Sequence, residues 1–199
     1  MKIHTVILAA GEGSRMLSSK AKSLQPVGGH SMLRRIYESI EDITDETTFV
    51  VGYEKDSIIH ETNLFDGRIN ITEQKQAIGT ADAVKSSLDT IAAGSKVLVL
   101  YGDVPLIQKT TLKDLIAMTH ENLTILTTEI DNPSGYGRVK KDSDGMAQAI
   151  IEEKDASKEE KQIKEIFTGI LCCNKNLLEE AIDEVGNDNA AKEYYLTDI

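Results

Sequence analysis

Cysteine is almost missing from this chain. Of 199 residues two are cysteine, and they are neighbours, Cys172 and Cys173, inside an apolar run. Adjacent cysteines match neither the spacing of a metal site nor a disulfide framework. Buried reduced thiols suit a reducing compartment, so a cytoplasmic location is expected. The histidines His4, His30, His60 and His120 are scattered without ligand spacing and read as structural or exposed. Positive charge is in deficit: 22 Lys and Arg against 33 Asp and Glu leave a net charge of −11. That excludes the basic stripe of a nucleic-acid-binding surface. Any phosphate held here must be held by a few placed cations and backbone N–H groups. Long apolar runs are missing too, since nothing approaches the roughly 20 residues of a membrane span. The first apolar run follows a single lysine and continues into a glycine turn, unlike a signal peptide. There is no internal repeat, low-complexity tract or interdomain linker. A chain of 199 residues suits one domain, 1–199, that buries its core without staples.

What is present is alternation. The stretches "TVILAA" (5–10), "TTFVVGY" (47–53), "KVLVLYG" (96–102) and "LTILTTEI" (123–130) are near-continuous apolar runs, as expected of strands covered on both faces. Helical patterns lie near 31–42, 54–64, 79–92 and 110–120, and "RINITEQ" (68–74) reads as a further short strand. Strand–helix alternation predicts an α/β fold: a mostly parallel central sheet flanked by helices, Rossmann-like in its crossovers. After Asn132 the pattern changes to a smaller β-rich portion. "NPSGYG" is turn-rich, and "RVKKDSDGMAQAIIEE" predicts a hairpin around Asp144-Gly145. A charged helix is expected near 155–165, then a strand at 166–173 and a helix at 175–185. The chain stops on an apolar residue just after a predicted helix start at Thr197-Asp198, a pattern expected of a sequence that continues past Ile199.

The first strand runs into "LAAGEGSRM". A dinucleotide fingerprint needs a third glycine where Met16 stands and an acidic residue about 20 positions on. A Walker A loop needs lysine followed by serine or threonine, and here Ser14-Arg15 closes the loop. Both common phosphate loops are therefore excluded. The physics still favours an anion: Gly11 and Gly13 let N–H groups turn inward as a nest, Ser14 adds a hydroxyl, and Arg15 adds a guanidinium that can fork onto phosphate. Taken alone, the loop fits a plain glycine turn with a surface arginine equally well.

Other stretches decide for the anion. "LAAGEGSRM", "IGTADAV", "LYGDVPLI", "NPSGYGRV", "IIEEKDA", "TGI" and "EYYLTD" run the length of the chain. In that order they resemble sugar-nucleotide pyrophosphorylases, and most closely the uridylyltransferase domain of the bacterial GlmU family of N-acetylglucosamine-1-phosphate uridyltransferases. The resemblance implies UMP transfer from UTP to N-acetylglucosamine 1-phosphate, giving UDP-N-acetylglucosamine and pyrophosphate. It implies Arg15 and Lys22 as the catalytic cations. It implies nucleotide contacts from Leu8, Ala10, Gly11, Gly13, Gln74, Gly79, Thr80, Tyr101 and Gly102, with Gln74 reading the pyrimidine edge. Gly137, Glu152, Phe167, Tyr195 and Thr197 would face the sugar. Asp103, at the end of the "KVLVLYGD" strand, would ligate Mg2+, with a second ligand, an asparagine, expected past Ile199. The family's C-terminal acetyltransferase domain, a left-handed β-helix that trimerises its members, has no hexapeptide repeat in these residues.

The chain departs from the family pattern at three positions. Ala21 replaces a proline before Lys22, Asp82 replaces a histidine two residues after Thr80, and Phe167 replaces the asparagine of N-T-G. Phenylalanine offers no conventional hydrogen bond to a sugar. Three readings therefore stand beside the first: a pyrophosphorylase for another sugar or nucleotide, a non-catalytic nucleotide-binding relative, and a cofactor-binding Rossmann protein, which the failed fingerprint disfavours.

Overall fold

The computed structural model describes residues 1–13, 16, 18 and 20–199. Ser14 and Arg15, proposed for the phosphate loop, lie outside the described residues. In chain order the elements are β1 (Ile3–Leu8), β2 (Pro26–Val27), β3 (His30–Ser31), α1 (Met32–Ile40), β4 (Glu46–Val51), α2 (Lys55–Thr62), β5 (Ile69–Glu73), α3 (Thr80–Lys85), β6 (Lys96–Tyr101), α4 (Lys109–Met118), β7 (Thr124–Glu129), β8 (Arg138–Lys141), β9 (Ala147–Ile151), β10 (Glu165–Asn174) and α5 (Lys175–Glu184).

Among the described residues, eight strands form one sheet with the order β5-β4-β1-β6-β10-β8-β9, and β7 pairs with β10. The first four run parallel. β10 then turns the direction, lying antiparallel to β6, β7 and β8. The expected parallel core and the separate β-rich portion are thus two parts of one continuous sheet.

β1 shows why its sequence is near-continuously apolar from Val6 onward. Val6 sits between Thr48 and Val99, and Ile7 between Phe49 and Leu100. Successive strand residues face opposite layers. Ile7 joins Phe49, Leu98, Leu100 and the α1 side chains on one face. Val6 joins Val50, Val97, Val99 and α3 and α5 side chains on the other. Both layers are covered, so the strand has no solvent face, and its two polar residues, His4 and Thr5, are buried with hydrogen-bond partners. Each such buried side chain contributes roughly 1.5–3 kcal/mol of transfer free energy. α1 is held by the same logic: Leu33, Ile36, Tyr37 and Ile40 are buried, a three-and-four spacing on one face. Its N-terminus is capped by the Ser31 hydroxyl, which accepts from the Arg34 N–H at 3.0 Å.

Two helical expectations are corrected. The charged stretch 155–165 forms only a short 3-10 turn at Glu160–Gln162. Ser157 and Glu160 cap each other there, at 3.0 and 3.1 Å. The cap has nothing to propagate into, because Ala156 and Ile163 are the stretch's apolar residues and supply no stripe to bury. The helix expected over 79–92 ends at Lys85, with a separate 3-10 turn at Leu88–Thr90. The hydroxyls of Ser86 and Ser87 bond back to the carbonyls of Ala83 and Val84, at 2.7 and 2.6 Å, and compete with the helix ladder.

His4 is buried and paired with Thr48 Oγ1 at 2.7 Å, and burial lowers its pKa; His30, His60 and His120 are exposed. Cys172 and Cys173 are free and buried, and burial pushes the Cys173 thiol up to about 12. Among the described residues no helix is long and apolar enough to cross a membrane.

Candidate functional site

The parallel strands end together, and backbone hydrogen bonds stitch the loops that leave them. Gly102 N–H donates to Leu8 O at 2.9 Å, Tyr53 N–H to Ala10 O at 3.1 Å and Gln74 N–H to Val51 O at 2.8 Å. Ligands of open α/β sheets bind at these carboxyl ends. A cleft of about 440 Å³ opens there. Leu8, Ala10, Gly11, Gly13, Lys22, Gln74, Gly79, Thr80, Tyr101, Gly102 and Asp103 all line it. Every described residue that the sequence reading gave to the nucleotide therefore borders one cavity.

Local geometry explains the glycines. Gly13 has a φ of +66°, and a Cβ on it would stand 2.5 Å from Lys22 Cβ. The loop after β1 is thus pressed against the residue that carries the cation. Gly79 has a φ of +135°, and a Cβ there would stand 2.2 Å from Tyr194 O. That contact belongs to a seam where residues 194–197 are fastened to the start of α3. Ala81 N–H donates to Tyr194 O at 2.9 Å and Tyr194 N–H to Ile78 O at 2.8 Å. The Thr80 hydroxyl accepts from Leu196 N–H at 2.9 Å. Burial drives the Tyr101 phenol up to about 12, against the opposing influence of the Thr80 hydroxyl, so it stays protonated.

A second cleft, about 690 Å³, lies on the β-rich side. Gly137, Glu152 and Phe167 line it, with Ser134, Tyr136, Thr168 and Gly169. The Thr197 hydroxyl donates to Glu152 Oε1 at 3.0 Å. Burial pushes the Glu152 carboxyl up; the Thr197 bond and Arg138 oppose this, and Asp198 and Asp155 add to it. Tyr195 is half-buried and Thr197 buried, and neither borders a cleft; Thr197 acts on the second cleft only through Glu152. Phe167 is 6% exposed and packs in the apolar cluster with Val139 and Leu171, so its ring is chiefly a core group with one edge on the cleft.

The two clefts share a border made by Lys22, Tyr101 and Asp103. The Lys22 ammonium forms an ion pair with Asp103 Oδ2. The Tyr101 ring lies against Gly169, whose φ is +83° and on which a Cβ would stand 2.7 Å from Tyr101 Cδ2. The glycine of "TGI" is therefore the seat of the dividing tyrosine. Among the described residues no group of three or more His, Cys, Asp or Glu side chains converges as a metal cage. Asp103 is the carboxylate placed on the shared border.

Some residues at the site escaped the sequence reading. Ser23, next to Lys22, lines the first cleft with a buried hydroxyl that has no partner among the described residues. Arg138 is buried and donates to Glu153 Oε2 at 2.6 Å and to Tyr136 O. Glu153 Oε2 also accepts from Gly135 N–H at 3.1 Å, so this pair staples the loop of the second cleft. Its position after "GYG" was the available signal. Asp82, read in the sequence only as a departure from the family pattern, accepts from Gln74 Nε2 at 3.0 Å, a contact no spacing rule announces.

The model of the MobA-like NTP transferase domain matches residues 5–156. "Bifunctional protein GlmU" of Marinobacter nauticus is 43% identical over 199 residues, covering 99% of this chain and 43% of that protein. The protein of the same name from Francisella philomiragia is 44% identical, covering 100% of this chain and 44% of its own length. The chain thus spans less than half the length of these relatives. Among solved structures, UDP-glucose pyrophosphorylase complexed with UDP-glucose superposes with a TM-score of 0.76 at 16% identity, over 100% of this chain and 85% of the other. HddC from Yersinia pseudotuberculosis superposes with 0.68 at 23% identity, over 89% and 79%. Both structures share the fold.

Proposed function

The chain belongs to the MobA-like NTP transferase domain family, and from that premise we propose that residues 1–199 are one nucleotidyltransferase domain that moves UMP from UTP to N-acetylglucosamine 1-phosphate. The observation that carries this reading is the border of Lys22, Tyr101 and Asp103 between two clefts. A transfer between two bound phosphates needs such a border, with donor on one side and acceptor on the other.

In the reaction an ionised oxygen of the sugar phosphate attacks the α-phosphorus of UTP. The new P–O bond forms as the bond to the β,γ-pyrophosphate breaks, and pyrophosphate leaves with the electron pair. The nucleophile is already charged, so no side-chain base is required. Positioning and charge neutralisation supply the catalysis. The glycine loop, Arg15 and Lys22 hold the triphosphate, Gln74 meets the uracil, and Gly137, Glu152 and Thr197 orient the sugar.

Asp103 fits a magnesium ion. Mg2+ takes one or two carboxylates and fills the rest of its shell with phosphate oxygens and water, and a single carboxylate on the border of both clefts meets that demand. When bound, the ion neutralises charge on the phosphates. The buried free thiols suit a cytoplasmic setting.

The missing asparagine at position 167, on the edge of the second cleft, favours a second reading, in which the acceptor is a different sugar 1-phosphate. One assay tests both: pyrophosphate release with Mg2+ across a panel of nucleoside triphosphates and sugar 1-phosphates. The highest kcat/KM is expected for UTP with N-acetylglucosamine 1-phosphate. A better pair elsewhere in the panel would replace the assignment, and no release with any pair would leave a binding protein.

A further inference from the structure

We propose that Asp82 is a positioning residue that fixes the Gln74 amide as a hydrogen-bond acceptor, so that the nucleotide cleft selects a base presenting an N–H, as uracil does at N3. The inference rests on Gln74 as the base reader and deepens that reading.

Gln74 follows β5, and its backbone N–H is bound to Val51 O at 2.8 Å. Its side-chain nitrogen meets two oxygens, Gly79 O at 2.8 Å and Asp82 Oδ2 at 3.0 Å. An amide nitrogen carries two hydrogens, and both are taken. Neither partner can donate: one is a backbone carbonyl, the other a carboxylate. Turning the amide over would set Oε1 against two oxygens and forfeit a charge-assisted bond. What Gln74 has left for a ligand in the cleft it lines is its carbonyl oxygen. Free glutamine offers a donor and an acceptor and reads either kind of edge. Gln74 in this grip offers one.

The consequence is chemical discrimination. Uracil brings N3–H to a carbonyl and gains a bond. Cytosine seated in the same way brings a lone pair at N3 to a lone pair on Oε1. Uracil methylated at N3 loses the hydrogen and adds bulk. Asp82 is well placed to hold this arrangement, because it lies in the first turn of α3, half-buried. The nearby cation on that helix, Lys85, is engaged elsewhere, with Asp183 at 2.8 Å.

Binding of UTP, CTP and 3-methyl-UTP to the intact 199-residue protein tests this by calorimetry. The parent protein should prefer UTP over both. Asp82→Ala and Asp82→Lys, which remove the acceptor in different ways, should shrink the UTP:CTP ratio about tenfold, the value of one charged hydrogen bond. Asp82→Asn, whose Oδ1 still accepts, should keep most of the ratio. In steady state the loss should appear in the KM for UTP and not in kcat. A parent that prefers UTP, with Asp82→Ala and Asp82→Lys keeping the full preference, would overturn the role of Asp82 and leave uridylyl transfer standing. Equal binding of UTP and CTP by the parent would overturn both.

Discussion

Lys22 rests its ammonium on the Asp103 carboxylate where the two clefts meet. The side chains are 34% and 30% exposed, so solvent screens the pair and it adds no more than about 1 kcal/mol to stability. Lys22→Ala and Asp103→Asn should each shift the melting temperature by only about 2–4 °C. Turnover should fall about a hundredfold or more, as when a charge-stabilising group is removed from a transition state. Melting curves and steady-state rates on the same samples check this. A large drop in melting temperature with turnover intact would make the pair structural.

Glu152 should give the stability a pH signature. Burial raises its folded pKa above the ordinary 4.5, so the native state holds this proton more tightly than the unfolded chain does. The stability this lends is full below the unfolded pKa and is lost as pH rises through the raised folded one. Glu152→Gln stays neutral and escapes that loss. Urea unfolding at about pH 4 and about pH 7 should show the variant gaining on the parent at the higher pH. Its KM for the sugar phosphate should rise. A constant stability difference across the two pH values would contradict the assignment.

Gly79→Ala should damage folding and nucleotide binding together. The new Cβ meets Tyr194 O at 2.2 Å and the backbone sits at φ +135°. Strain and overpacking each cost about 1–3 kcal/mol. Denaturant midpoints and UTP titration report the two effects, and an unchanged midpoint would show that residues 194–197 are not seated on α3 as described.

Phe167→Asn should lower stability by about 3 kcal/mol or more, because it exchanges a buried ring for a buried amide. Phe167→Leu should cost less and leave acceptor kinetics near those of the parent. If Phe167→Asn instead keeps the parent's stability and lowers the acceptor KM, the ring's place is in the cleft and not in the core.

The inner parallel strands β4, β1 and β6 were legible because they are buried on both faces, which demands near-continuous apolar runs such as residues 6–10. β5, at the sheet edge, is only partly buried and gave a weaker signal. The border of the site was legible through glycines, whose absence of a Cβ is a demand of the backbone itself, as at Gly13 and Gly79. What stayed hidden was made by contacts distant in sequence. The resemblance set Glu152 and Thr197 on one sugar side, but nothing in the sequence announced that the Thr197 hydroxyl would bond the Glu152 carboxylate directly. The segment 155–165 carried charges at helical spacing and a capping pair, yet helices in proteins are held mainly by an apolar stripe, and that was lacking. Phe167 looked like a lost sugar ligand because a motif position says nothing of which way a ring turns.

Residues 194–197 touch the walls of both clefts: Tyr194 and Leu196 bind the start of α3, and Thr197 binds Glu152. A ligand that tightens one wall does so through a segment whose other end belongs to its neighbour. Under the proposed function, any coupling this segment carries between the two clefts is reciprocal. Whatever factor bound nucleotide imposes on the affinity for the sugar phosphate, bound sugar phosphate must impose on the affinity for nucleotide.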